Sequence, residues 1–205
     1  MSSRVQRISG IVLEIVPNGD RYLRLSLFSL NHSLRYFLLR KNSKTNSQGQ
    51  PDLFDDLECS LSYSAKGGEV AFIKEWRVLT KRSFLAQDHK VFCVASEISL
   101  LFLENTKHLF ESEPFYKLLL QSLDALKNGD PMVIKIKTLF VFAEKEGLPV
   151  RQAWLPELKV PLRNHAKSIL SNPVADFKET PESAGEILLS LANWLNAETE
   201  IKCRT

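Results

Sequence analysis

Arg7-Ile8-Ser9-Gly10-Ile11-Val12-Leu13-Glu14-Ile15-Val16-Pro17, then Asn18-Gly19-Asp20, then Tyr22-Leu23-Arg24-Leu25-Ser26-Leu27-Phe28 is the stretch that decides the fold. The first run is rich in β-branched residues and reads as a strand. Asn-Gly supplies the positive-φ positions that a tight hairpin requires. The last run alternates apolar and polar residues, the period of a half-buried strand. Outward from this hairpin the same texture repeats. Leu34-Arg35-Tyr36-Phe37-Leu38-Leu39-Arg40-Lys41 is a third strand, running into a polar loop, Asn42 to Gln50. Leu57 to Tyr63 alternates again, Ala65-Lys66-Gly67-Gly68 is a turn, and Glu69 to Leu79 is a fifth strand. Five short strands in about eighty residues predict a small antiparallel barrel, and OB-type closure removes exposed edges with that strand count.

The texture changes near Phe84. Apolar residues recur at helical spacing from Val91 to Phe110 with no Gly or Pro. Ser112-Glu113-Pro114 opens a helix to about Lys127, and Asn128-Gly129 ends it. Asp130-Pro131 opens another that runs to Glu146 and stops at Gly147, Pro in the first turn and Gly past the end. Residues 148–163 hold Pro149, Pro156 and Pro161 and read as an extended connector. Thr180-Pro181-Glu182-Ser183 starts a last helix to about Asn196. The expected fold is therefore α+β, an N-terminal OB-fold β-barrel over residues 1–82 followed by an all-helical domain over 83–205.

Charge is distributed unevenly. Residues 1–50 hold eight Lys/Arg against two acids, a balance of +6, whereas the whole chain is +3, so residues 51–205 carry −3. A small barrel with that concentration of charge is the footprint of a polyanion binder. The basic set is Arg7, Arg21, Arg24, Arg35, Arg40, Lys41 and Lys44, with Arg35, Arg40, Lys41 and Lys44 first because they follow one strand into its loop. Lys81 and Arg82, at the barrel exit, are of second rank. Their role would be phosphate neutralisation; the alternative is a solvated face that keeps a small domain in solution. Tyr22, Tyr36 and Phe37 are interleaved with these charges. Aromatics on a barrel face stack bases, and elsewhere they are core. Period 2 puts Tyr36 and Phe37 on opposite faces, so at most one of them faces the basic side.

Other chemistry is sparse. The three cysteines (59, 93, 203) are far apart and odd in number, which fits a reducing cytosol and gives neither a disulfide framework nor metal-ligand spacing. The four histidines are scattered. There is no Ser/His/Asp set, no glycine-rich phosphate loop and no nucleophile motif, so no catalytic residue, cofactor or metal is expected. No apolar run reaches the ~18 residues of a spanning helix, and no signal-type apolar region follows Met1, which predicts a cytoplasmic protein.

The ordered series Gly10-Ile11-Val12-Leu13, the turn 18–20, Leu25-Ser26-Leu27-Phe28-Ser29, the basic segment Leu34 to Lys44, Pro51-Asp52-Leu53-Phe54, and Phe140 to Gly147 followed by Leu148 resembles the bacterial recombination mediator RecO family. The resemblance covers roughly residues 5–150. It departs in the basic segment, bulkier here (Leu38-Leu39-Arg40-Lys41), and in lacking the four-cysteine zinc module that many members carry. It implies a non-enzymatic DNA-repair and recombination mediator, nucleoid-associated, that binds single-stranded DNA and promotes annealing and recombinase loading. It also implies that the C-terminal tail of the single-strand-binding protein docks on the helical domain; whether the partner loader RecR binds is left open. The helix from 131 carries Lys135, Lys137, Phe140 and Phe142. Taken alone they make an apolar stripe with exposed lysines. As a tail site, Lys137 would meet a carboxylate while Phe140 and Val141 offer an apolar surface to a ring. The rival reading is an OB-fold scaffold that binds a protein partner, or RNA, with no role on DNA.

Overall fold

The structure is a computed structural model that describes residues 6–41, 50–63, 71–107, 109, 111–177 and 180–204. The loop expected at Asn42–Gln50 lies, except for its last residue, outside the described residues. So do the glycine turn at 65–68 and Lys44. The chain divides into two compact units, Met1–Arg82 with Thr106–Tyr116, and Ser83–Asn105 with Lys117–Thr205.

The first unit is a closed five-stranded barrel. Its strands are β1 (Gln6–Asn18), β2 (Tyr22–Ser29), β3 (Ser33–Arg40), β4 (Asp56–Tyr63) and β5 (Ala71–Thr80), hydrogen-bonded in the order β1-β2-β3-β5-β4. All ladders are antiparallel except β3 with β5, which is parallel over Phe37–Leu39 and Ala71–Ile73. β1 is long because it serves two neighbours. Gln6–Ile11 pairs with β4 and Gly10–Asn18 with β2, the register shifting between Val12 and Glu14. Such an irregularity bends a strand and tightens its twist. Gly10 sits at the shared corner. A Cβ there would lie 2.8 Å from the Phe28 carbonyl oxygen, so only glycine allows the two backbones to meet. Gly19, at φ +64°, makes the β1–β2 turn.

Inward side chains fill the barrel: Ile8, Leu25, Leu27, Phe37, Leu57 and Trp76 among them. β2 departs from simple alternation. Its outward Ser26 and Phe28 are buried as well. The Ser26 hydroxyl donates to Glu14 (2.8 Å), and Phe28 stacks with Tyr116 at 6.4 Å. The Ser112 hydroxyl donates to the Leu30 carbonyl, and the Ser33 hydroxyl to the Leu109 carbonyl at 3.2 Å. Leu109, Ser112 and Tyr116 thus lie against the barrel's outer face at the end of β2 and the start of β3.

The second unit is helical: α1 (His89–Asn105), most of α2 (Glu113–Ala125), α3 (Pro131–Lys145), α4 (Trp154–Glu157), α5 (Val160–Ser171) and α6 (Ala184–Glu198). α3 is its central element, packed against α1, α5 and α6. Asp130 caps it, accepting from the Val133 amide at 2.9 Å, with Pro131 in the first turn. The expected extended connector at 148–163 is instead the site of α4 and the start of α5. Pro161 occupies the first turn of α5, where the missing N–H is no loss, so the proline starts a helix rather than breaking one. Among the described residues no helix is long and apolar enough to cross a membrane.

Candidate nucleic-acid interface

The barrel's outer face between β2 and β3 gathers the charges and rings that the strand period aligns. Tyr22 lies opposite Arg40, Arg24 opposite Leu38, and Ser26 opposite Tyr36. These are same-face positions, so Arg24 and Tyr36 are diagonal neighbours. The Arg24 guanidinium stands 5.6 Å from the Tyr36 ring centroid and 3.2 Å from the Glu14 carboxylate. The carboxylate holds the arginine beside the ring, and the arginine side chain stays partly exposed. Tyr36 is 43% exposed, whereas its neighbour Phe37 is buried in the barrel. Tyr22 meets Phe72 edge-to-face at 5.7 Å.

This face runs into a groove of about 930 Å³. β3 has a ladder partner on its β5 side only from Phe37 onward, so among the described residues Ser33–Tyr36 have one paired edge. The groove follows that edge. Arg24, Arg35, Tyr36, His32, Lys107 and Tyr63 line its polar parts, and Ile8, Leu34, Phe37, Leu61 and Ala71 its apolar ones. Arg35 shares the inward row with Phe37 and Leu39, yet it is exposed because that row reaches the open mouth here. Its Nε donates to the His32 carbonyl at 3.3 Å. Tyr63 is 52% exposed, and its hydroxyl donates to Gln6 at 2.6 Å. No carboxylate is among the groove's described lining residues. Three cations, two exposed rings and apolar ground between them are the components that hold a polyanion carrying flat bases.

The predicted basic residues divide into groups. Arg24, Arg35 and Tyr36 meet in the groove. Arg21, Arg40 and Lys41 cluster at the β1–β2 turn: the Lys41 amide donates to the Arg21 carbonyl at 2.8 Å, and its ammonium to the Gly19 carbonyl at 3.0 Å. They extend the positive surface beyond the groove. Arg7 is exposed opposite Ser60 on the β1–β4 side and does not line it. Lys81 is exposed and acts electrostatically on Asp55, whose burial holds its carboxyl above the usual range. Arg82 corrects the expectation outright. It is 2% exposed and donates to the Phe54 carbonyl at 2.9 Å, so it is a structural residue. The sequence reading missed Tyr63, His32 and Lys107. Tyr63 closes an alternating strand and carried a local signal. Lys107 follows a helix and joins the barrel only through the fold.

The tail site expected on α3 is also corrected. Phe140 is 1% exposed. Its ring lies 6.1 Å from that of Trp154, with the Arg151 guanidinium 5.0 Å from it on the outside. The surface meant for a partner's ring is occupied by the protein's own side chains, and Val141 is half-buried. Lys137 donates to the carbonyls of Leu170 (3.3 Å) and Asn172 (2.8 Å) at the end of α5. Burial lowers its pKa from the ordinary 10.5. Lys135, expected to be exposed, is buried against Glu97 at 2.9 Å. α3 is buried along most of its length, and Lys135 and Lys137 serve internal partners.

Compared with known proteins, the chain matches no family model and no curated protein.

Proposed function

We propose that this chain is a non-enzymatic, cytoplasmic single-stranded DNA-binding protein of the RecO type, acting as a recombination mediator through an OB-fold barrel. The strand order β1-β2-β3-β5-β4 with a parallel β3–β5 closure supports the OB reading. Oligonucleotide-binding OB-folds use the β2–β3 face and the loops beside it. One observation carries the proposal: a groove that opens beside that face, along the β3 edge, joins Arg24, Arg35 and Lys107 to the exposed rings of Tyr36 and Tyr63, with no carboxylate among its described lining. The cations neutralise phosphates without reading sequence, and the rings stack any base. The wider role, contact with DNA-bound single-strand-binding protein and recombinase loading, follows from the resemblance and does not rest on Lys137 or Phe140.

The test is fluorescence anisotropy of a labelled oligothymidylate at low salt. Tyr36→Ala should cost about 1–3 kcal/mol, the value of one stacked base, and Tyr36→Phe should retain most of the affinity. An unchanged affinity in Tyr36→Ala would remove the ring from the site. Competition with an oligouridylate of equal length reports the preference for DNA over RNA.

A further inference from the structure

α6 presents two faces. Ile187, Leu188, Leu191, Ala192 and Leu195 are buried in the helical unit. The opposite face repeats at intervals of three and four, Glu186, Leu189, Ser190, Asn193, Trp194, Ala197, the spacing of a single helical stripe. With α4 this stripe lines a groove of about 530 Å³. Trp154 closes one wall. Its ring is buried, and its indole N–H donates to Ser190 at 3.1 Å, which fixes the wall against α6. Leu189 is 51% exposed and Trp194 half-buried, so the groove has an apolar centre open to solvent.

Its charge is of one sign. Glu157, Glu186 and Glu198 line it, all exposed, and no basic side chain is among its described lining residues. None of the three makes an ion pair with another described residue. Glu186 and Glu198 lie at opposite ends of α6. The intervening rise is about 18 Å at 1.5 Å per residue, and the apolar residues fall between them. We infer that this groove docks a basic amphipathic helix of a partner protein, one that places apolar side chains on Leu189 and Trp194 and a cation near each end. Charge complementarity selects the occupant. An acidic segment would bring carboxylates against three glutamates, and a purely apolar one would leave them without partners. The mode is a helix laid in a groove, read through anchors at i, i+3, i+4 and i+7. It is independent of the barrel and of DNA.

The probe is a synthetic helical peptide with a leucine stripe flanked by lysines about 18 Å apart, titrated calorimetrically into the full chain. A second peptide carries glutamate in place of each lysine. The lysine peptide should bind and the glutamate peptide should not. The triple variant Glu157→Gln/Glu186→Gln/Glu198→Gln should weaken the lysine peptide by about fivefold at low salt, two exposed ion pairs at roughly 0.5 kcal/mol each. Leu189→Ser should weaken it without altering the circular dichroism spectrum, since the side chain is already half in water. Absence of binding, equal binding of the two peptides, or unchanged affinity in the triple variant would overturn the proposal. So would a concentration-dependent dimer of the chain that Leu189→Ser dissociates, because a second copy would then be the occupant.

Discussion

Arg24 and Arg82 have the same side chain, and both lie in basic surroundings in the sequence, yet only one is available to a ligand. Arg24 is on an outward position of β2, braced by Glu14 and stacked on Tyr36. Arg82 follows β5 and turns inward to the Phe54 carbonyl. Phe54 has φ +68°, a conformation a bulky residue rarely holds unaided. A guanidinium hydrogen bond to its carbonyl helps fix that turn. Arg82→Met is therefore expected to destabilise the barrel by about 1–3 kcal/mol, the cost of leaving a buried acceptor without its charged donor. Urea denaturation measures it, and DNA affinity at low denaturant should stay at the wild-type level. The strand period alone separated Tyr36 from Phe37, so that assignment was legible in the sequence. The fate of Arg82 was not, because the turn that receives it lies nearly thirty residues earlier in the chain.

At the scale of elements, the strands, the two helices opened by Glu-Pro or Asp-Pro and closed by Gly, and the last helix after Thr180-Pro181 were readable, since their signals are local. α5 was hidden by its prolines, which read as breakers until Pro161 is seen in a first turn. α3 was readable as a helix but not as a buried one. Its lysines suggested solvent, whereas Lys135 pairs with Glu97 and Lys137 reaches the end of α5. Those carbonyls are the acceptors that a helix end leaves unpaired. Lys137→Met should destabilise the helical unit by about 1–2 kcal/mol near neutral pH. The pH dependence has a definite sign. Burial lowers the folded pKa below the ordinary 10.5, so between those two values the unfolded chain holds more protons than the folded one. The Lys137 contribution to stability therefore rises with pH across that window and is least favourable below it. Denaturation of wild type and Lys137→Met at neutral and alkaline pH should show the difference moving in the wild type's favour as pH approaches 10.5. A difference that shrinks would contradict the assignment.

At the scale of the whole molecule, the excess positive charge of residues 1–50 was legible from composition, and the structure places part of it along one groove. Lys107 and the segment 106–116 were not legible, because their membership of the barrel unit depends on the chain returning after α1. A fragment ending at residue 82 would leave Phe28 without the Tyr116 ring and the Leu30 carbonyl without the Ser112 hydroxyl. It should bind a hydrophobic dye more strongly than the full chain does. It should also lose at least ~1 kcal/mol from the aromatic pair alone, read as a lower thermal midpoint. The central claim, that the β2–β3 groove binds single-stranded DNA through phosphates and bases, is tested most directly by the salt dependence of oligothymidylate affinity. Three phosphate contacts at roughly 0.7 each give a slope of about −2 in log affinity against log salt. In the variant Arg24→Gln/Arg35→Gln/Lys107→Gln the slope should flatten toward zero and the low-salt affinity should fall. A wild-type affinity indifferent to salt, or a slope unchanged in the triple variant, would contradict the account.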